Sequence, residues 1–205
     1  MSDMLNTPSF NLAGKKALVP GGGGGIGFGC ACALAEAGAE VVVAGRTKQS
    51  LDEAAQAITK AGYQASALVM DIADIDGTKA ALDETGPYDI IVNCAGLAHH
   101  KPALESVKEE VEMVVGINLT GAYMLLVNAA KQLVEAGKTG SFITMSSQMG
   151  HVGGIDRSVY CATKFGVEGF TKAMAIEWGP HKIMVDERDA RDRHRARLPP
   201  RGGAR

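Results

Sequence analysis

Short apolar runs alternate with longer helical patterns along most of this 205-residue chain. We predict strands at 17–19, 41–44, 65–70, 90–92 and 141–145, and a sixth that begins at 183. Between them, helices are predicted at about 26–37, 48–61, 75–85, 105–136 and 158–178. Because the strands lack polar alternation and helices separate them, they predict a parallel sheet covered on both faces. The expected fold class is therefore α/β, a doubly wound parallel sheet in three layers.

A glycine-rich loop, Pro20-Gly21-Gly22-Gly23-Gly24-Gly25-Ile26-Gly27, joins the first predicted strand to the first helix. Glycine lets backbone approach a pyrophosphate closely, and the N–H groups that begin a helix attract its charge. A flexible surface turn would have the same composition, but the strand–loop–helix context favours nucleotide binding. The candidate phosphate-binding residues are Gly21, Gly24, Gly25, Ile26 and Gly27.

The end of the second predicted strand distinguishes between the two common dinucleotides. An acid there would bond the ribose hydroxyls of NAD and repel the 2′-phosphate of NADP, but this chain has Gly45-Arg46. Because a guanidinium binds phosphate in a bidentate manner, Arg46 favours NADP, with NAD possible. A solvated loop arginine is the alternative interpretation.

Polar groups suited to carbonyl chemistry follow the later strands. Tyr160 and Lys164 are four residues apart, on one face of a predicted helix. Such a pair arises by chance in many chains, so alone it is a weak signal. Three further features accompany the pair. Ser147 follows the fifth predicted strand, Asn118 lies within the long predicted helix, and Asn93-Cys94-Ala95-Gly96 follows the fourth strand.

In this order and spacing, the motifs resemble the short-chain dehydrogenase/reductases, and the likeness runs from about Phe10 to Val185. The resemblance implies a Rossmann fold and hydride transfer between NADP(H) or NAD(H) and a ketone or secondary alcohol. It implies that Tyr160 is the acid/base, that Ser147 orients the carbonyl, and that Lys164 holds the nicotinamide ribose and strengthens the acid. Tyr160 and Lys164 are thereby also expected to be cofactor-binding residues. Asn118 would anchor a water that relays protons. Asp71 and Ile72 would line the adenine pocket, and Asn93, Ala95 and Gly96 would shape the cofactor floor.

The segments 146–154 and 175–181 look similar to those of members that act on sugar-derived ketones, polyols or 3-oxoacyl groups. Gln148 and His151 either reach substrate hydroxyls or are ordinary loop polar residues. His99 and His100 have no partner at metal-ligand spacing, so a solvated loop is favoured and no metal is expected. The Cys30-x-Cys32 pair is interpreted as two buried thiols rather than a metal or redox pair.

The chain departs from the family pattern at two places. Pro20 stands where the family usually has threonine, so we expect weaker or less ordered cofactor binding. After Val185 the family finishes its sixth strand and adds a lid and a seventh strand, whereas residues 186–205 are polar and rich in arginine. We expect a domain at 1–185 and a disordered tail at 186–205, in a truncated or frameshifted member that lacks the C-terminal strand and lid helices.

Charge and cysteine usage limit the partners. A net charge of −2 gives no reason to expect nucleic acid or an anionic membrane as a binding partner. Four cysteines in a chain of this size do not form a disulfide framework. We expect a cytoplasmic protein, a small carbonyl or alcohol substrate, and a homodimer formed through the helices at about 105–136 and 158–178. A catalytically impaired nucleotide-binding fragment and a chain that does not fold remain alternatives.

Overall fold

A computed structural model describes residues 9–188, which form one six-stranded sheet in which every strand pairing is parallel. The strands are β1 Lys16–Pro20, β2 Glu40–Gly45, β3 Ala65–Val69, β4 Ile90–Asn93, β5 Gly140–Met145 and β6 Ile183–Arg188. They are arranged β3-β2-β1-β4-β5-β6, so strand order reverses between β1 and β4. The predicted doubly wound fold is confirmed.

Six α-helices connect and cover the strands: α1 Gly25–Glu36, α2 Lys48–Lys60, α3 Ile75–Thr85, α4 Lys108–Val115, α5 Ala122–Glu135 and α6 Ser158–Trp178. Single 3₁₀ turns lie at Ala103–Glu105, Gln148–Gly150 and Gly179–His181. The helix predicted over 105–136 begins later, at Lys108, and a π-helical segment, Gly116–Gly121, joins α4 to α5. Such segments are rare and are frequent at functional sites.

Local signals set the ends of the helices. Asp74 caps α3, because its Oδ1 accepts a hydrogen bond from the Gly77 amide at 3.0 Å. At the other end of a helix, Gly62 adopts a φ of +93° and its amide donates to Thr59 O at 3.0 Å. A residue with a side chain is strained at that φ, so α2 stops there.

Both faces of the central strands are buried. On one face α5 packs on the strands through fully buried residues such as Leu18, Phe142 and Leu125. On the other face α1 and α2 cover Val19, Val41 and their neighbours. The sheet is therefore held from both sides, and the ends of its strands are fixed relative to one another.

Two expectations of burial are corrected. Cys30 and Cys32 are only half-buried, because residues two apart on a helix do not share a face and the intervening Ala31 is the core residue. The edge strand β3 is also largely exposed along its length, since it has a neighbouring strand on one side only.

The sixth strand continues to Arg188, three residues past the predicted domain boundary at Val185. Asp186, Glu187 and Arg188 pair with Ile143, Thr144 and Met145 of β5. A polar run is accommodated here because β6 lies at the edge of the sheet that residues 9–188 form, with Asp186 and Arg188 exposed. The rest of the predicted tail, 189–205, lies outside the described residues, as do residues 1–8.

The helical stretch Lys108–Glu135 is long and apolar enough to cross a membrane by length and composition, with a mean hydropathy of 1.5 in its most apolar window. Half of that window is buried inside the protein. A buried core helix has the same length and composition, so these properties do not distinguish a core helix from a membrane span. The expected absence of a membrane partner stays a prediction.

Candidate active site

The carboxyl ends of β1 and β4 open into a cleft of about 280 Å³, located where the strand order reverses. In a doubly wound sheet this is the position at which ligands bind. The cleft brings together six of the predicted cofactor residues, which are Gly21, Arg46, Asp71, Ile72, Ala95 and Gly96. These come from four separate loops of the sequence, and the sheet alone brings them together.

Close backbone contacts shape the glycine loop. Gly21 has a φ of +78°, and a Cβ on it would lie 2.8 Å from the Ala95 amide nitrogen. A Cβ on Gly27 would lie 2.2 Å from Gly21 O, which no side chain can do. Both positions therefore require glycine. Helix α1 begins at Gly25, within the glycine loop, and its N-cap residue Gly24 makes no side-chain cap. The N-terminus of a helix at this position is suited to binding an anion.

A backbone hydrogen bond joins the glycine loop to the loop after β4. The Cys94 amide donates to Pro20 O at 2.9 Å. This bond ties the two loops together without the threonine hydroxyl that Pro20 replaces. The expectation of weaker cofactor binding caused by Pro20 is untested and stays a prediction.

The predicted adenosine side of the cleft carries one cation and one anion. Arg46 lies just past the end of β2 with an exposed side chain and lines the cleft. Asp71 follows β3, and its Oδ1 accepts from the Ala73 amide at 3.0 Å, which fixes the turn that also places the buried Ile72. The residues present therefore fit a dinucleotide: glycine backbone at the pyrophosphate position and a guanidinium at the ribose end.

The Asn93-Cys94-Ala95-Gly96 loop links the cleft to the catalytic side chains. Asn93 is buried, and its Oδ1 accepts from the Ala95 amide at 3.1 Å, which shapes the turn. At Gly96, a Cβ would lie 3.3 Å from Asn118 Oδ1 and 3.9 Å from Lys164 Nζ. Gly96 is thus common to the cleft and to the predicted catalytic group.

Asn118 lies in the π-helical segment and is buried. Its Oδ1 accepts from the Leu97 amide at 2.7 Å, and its Nδ2 donates to Leu97 O at 2.8 Å and to Thr163 Oγ1 at 3.3 Å. The side chain therefore joins three elements: the loop after β4, the π-helical segment and α6. Its predicted role in holding a water is untested.

Tyr160 and Lys164 lie together on α6. Lys164 Nζ is 5.7 Å from the centroid of the Tyr160 ring, and it donates a hydrogen bond to Met145 O, at the end of β5, at 2.6 Å. Ser147 caps the 3₁₀ turn Gln148–Gly150 that follows β5, and its Oγ accepts from the Met149 amide at 3.2 Å. Because that contact uses a lone pair of the hydroxyl, the Ser147 proton is left for another acceptor.

Burial controls the charge of Lys164. The side chain is only 5% exposed, and desolvation lowers its pKa from 10.5 to about 8, against a small opposing effect from Cys94. The direction follows from the loss of water around the buried ammonium. A lysine of this kind releases its proton more readily than a surface lysine, which suits proton transfer near neutral pH.

The two predicted substrate residues, Gln148 and His151, lie in the turn after Ser147. Gln148 is half-buried, and the His151 side chain is 56% exposed with its Nε2 3.5 Å from Glu168 Oε1. His100 lies edge-on to Tyr160, with ring centroids 6.3 Å apart. Within residues 9–188, no three His, Cys, Asp or Glu side chains are grouped to hold a metal ion.

Sequence reasoning missed several residues of the site. Leu97 lines the cleft and binds Asn118 through backbone atoms, which leave no signal in the residue type. Ile117 and Met70 line the cleft as well. Glu168, a buried carboxylate four residues after Lys164, was missed as well, because its partners are distant in sequence.

The chain is similar to dehydrogenases and reductases over most of its length. The sequence profile of the short chain dehydrogenase family matches residues 15–187. L-xylulose reductase of Bos taurus is 39% identical over 175 residues, which cover 85% of this chain and 70% of that protein. Gluconate 5-dehydrogenase of Gluconobacter oxydans is 33% identical over 181 residues, covering 86% and 70%.

Solved structures give the same result. A gluconate 5-dehydrogenase from Burkholderia cenocepacia in complex with NADP and tartrate superposes with a TM-score of 0.82 at 30% identity, over 87% of this chain and 71% of that one. A short-chain type dehydrogenase/reductase from Mycobacterium marinum superposes with a TM-score of 0.82 at 36% identity, over 87% and 75%.

Proposed function

Because this chain belongs to the short chain dehydrogenase family, we propose that it transfers a hydride between NADP(H) and a ketone or secondary alcohol of a sugar-derived or 3-oxoacyl-like substrate. One observation carries the proposal: the buried Lys164 ammonium lies 5.7 Å from the Tyr160 ring, next to the Gly96 edge of the cleft. A phenol and an ammonium at the mouth of a nucleotide cleft are the groups that carbonyl reduction requires.

The residues of the chain would supply the proton and the orientation. When bound, NADPH supplies the hydride that reaches the carbonyl carbon. Tyr160 donates its hydroxyl proton to the carbonyl oxygen, and the Lys164 ammonium stabilises the phenolate that remains. Ser147 keeps its proton and donates a hydrogen bond to the same oxygen, which orients the carbonyl; its Oγ meanwhile accepts from the Met149 amide. In the oxidising direction the same groups act in reverse.

The choice of NADP over NAD rests on Arg46, which lines the cleft at the end of β2. The solved relative that binds NADP supports this assignment. We expect Arg46→Ala to weaken NADPH binding about 10- to 100-fold, the value of a charge-assisted bond of 1.5–3 kcal/mol, and to change NADH binding little. Cofactor fluorescence titration measures both constants.

Lys60→Ala is the matched control, because Lys60 is an exposed cation at the far end of α2. It should leave the dissociation constants for NADPH and for NADH unchanged. An Arg46→Ala protein that binds NADPH as tightly as the parent chain would overturn the assignment of NADP as the preferred cofactor.

The substrate class is inferred from relatives named for L-xylulose and gluconate. Gln148 and His151 are the side chains that we propose to contact substrate hydroxyls. Loss of NADPH absorbance at 340 nm with a panel of ketoses, keto-acids and 3-oxoacyl esters tests the proposed function, and no consumption with any of them contradicts it. We place the reaction in the cytoplasm; recovery of the protein in a membrane pellet argues against that.

We also propose a homodimer formed through the long helices α5 and α6. Large apolar side chains are exposed on them, with Phe165 at 49% and Ile176 at 81%. Such side chains favour association when they cover one another. Sedimentation equilibrium should give twice the chain mass of 21.3 kDa, and a single-chain mass at micromolar concentration rules the dimer out.

A further inference from the structure

Glu168 on α6 is a buried carboxylate, 5% exposed, one helical turn past Lys164. Its Oε1 accepts a hydrogen bond from Ser146 Oγ at 2.6 Å and lies 3.5 Å from His151 Nε2. On the other oxygen, Lys172 Nζ lies 3.4 Å from Oε2. Two of these three partners belong to the segment 146–151, which carries Ser147, Gln148 and His151.

This segment lies directly on the Glu168 side chain. A Cβ on Gly150 would be 2.9 Å from Ser146 Oγ and 3.0 Å from Glu168 Cγ. The segment also folds on itself, because the Gly150 amide donates to Ser147 O at 2.8 Å and the His151 amide to Gln148 O at 3.0 Å. Glu168 therefore contacts both ends of a compact turn.

Glu168 also has a neighbouring acid on β6. Thr171 Oγ1 donates to Glu187 Oε2 at 2.9 Å, and the Glu168 and Glu187 side chains influence each other's pKa. Burial opposes ionisation of Glu168, but hydrogen bonds from Ser146 and Lys172 and the neighbouring Glu187 and His151 side chains lower its pKa. Burial and the neighbouring Glu168 carboxylate raise the pKa of Glu187.

We propose that Glu168 is a positioning residue, which holds the 146–151 segment against α6 so that Ser147 and His151 face the substrate. Tyr160, Lys164 and Glu168 lie on one helix at successive turns. Anchoring the segment to that helix therefore sets the position of Ser147 relative to Tyr160. The inference rests on the proposed function, because it assumes that Ser147 contacts the reacting carbonyl.

The kinetic test uses Glu168→Ala and Ser146→Ala, with Glu177→Gln, an exposed acid on α6, as the control. We expect each alanine variant to lower kcat/KM for the carbonyl substrate about 10- to 100-fold, the usual cost of misplacing one catalytic group, and the control to lower it less than twofold. The Kd for NADPH should stay within twofold, because neither substitution removes a predicted cofactor residue and Lys164 keeps its place on α6.

A conservative replacement separates the charge of the side chain from its bulk and its hydrogen bond with Ser146. Glu168→Gln keeps an oxygen that accepts from Ser146, so its activity should exceed that of Glu168→Ala by about fivefold or more. The double variant Ser146→Ala/Glu168→Ala should be no worse than the poorer single variant, because both remove one contact. If the losses in kcat/KM of the two single variants multiply in the double variant, or if NADPH binding falls in parallel, Glu168 has a general structural role instead.

Amide hydrogen exchange tests the same inference without catalysis. Exchange in 146–152 should rise at least about tenfold in Glu168→Ala, while exchange in 90–97 is unchanged. This result holds even if the parent chain reduces no substrate, so failure of the proposed function and failure of this inference are separable. Unchanged exchange in 146–152 overturns the positioning role.

Discussion

Tyr160→Phe should lower kcat for ketone reduction by about 10²- to 10⁴-fold, the usual contribution of a general acid. The substitution removes only the hydroxyl, since the phenyl ring keeps its edge-on contact with His100 and its place near Lys164 Nζ. NADPH binding should change far less than kcat, because the ring stays in place, and the melting temperature should be unchanged. The measurement is steady-state oxidation of NADPH, followed at 340 nm.

Tyr123→Phe is the matched control. Tyr123 lies on α5 with a half-exposed ring that packs against Phe170, at a centroid distance of 5.6 Å. Its hydroxyl has no role in the proposed chemistry, so the variant should keep the parent rate. Equal rates for Tyr160→Phe and the parent chain would remove Tyr160 from the mechanism.

Lys164→Met should have the second largest effect, and it acts on both activity and stability. Loss of the ammonium beside Tyr160 should lower kcat/KM by about 10²-fold or more, because the phenolate loses its nearest positive charge. Methionine is also better suited than an ammonium to a site that is 5% exposed.

The stability effect depends on pH in a defined direction. The Lys164 pKa is about 8 in the folded protein against 10.5 for an ordinary lysine, so the unfolded chain holds more protons between these values. The free energy of unfolding of the parent chain therefore rises with pH across that window, by about 3 kcal/mol from this group. Below pH 8 the cost of the buried charge is fully present.

Urea unfolding at several values between pH 7 and pH 10, with and without the substitution, measures this contribution. The free energy of unfolding of the parent chain should rise with pH relative to that of the Lys164→Met protein. Lys138→Met, which replaces an exposed lysine, should show no such pH dependence. A difference that is flat with pH would mean that Lys164 is better solvated than its burial indicates.

Hydrophobic patterning was sufficient to predict the sheet and its helices. Runs such as Val41-Val42-Val43 have no polar side chain to place in water, so they specify a strand that is buried on both faces. The least predictable boundary was the end of β6, where Asp186 and Arg188 read as loop residues. Pairing with β5 at an exposed edge overrides the polar composition.

The candidate site was predictable where the residue type itself carries the chemistry. Tyr160, Lys164 and Ser147 were found because phenol, ammonium and hydroxyl groups appear at informative spacing. Leu97 was not found, since its contact with Asn118 uses only backbone atoms. Glu168 was missed for another reason: its partners Ser146 and His151 are distant in sequence and meet it only after β5 and α6 pack together.

Transfer of deuterium from NADPH labelled with two deuterons at C4 of the nicotinamide tests the central claim most directly. We expect the alcohol product to be one mass unit heavier than the product formed with unlabelled cofactor, as measured by mass spectrometry, and the Tyr160→Phe protein to form far less of it. A chain that binds NADPH but yields no labelled product with any ketone tested would contradict the account, because the cleft would then hold a nucleotide without performing hydride transfer.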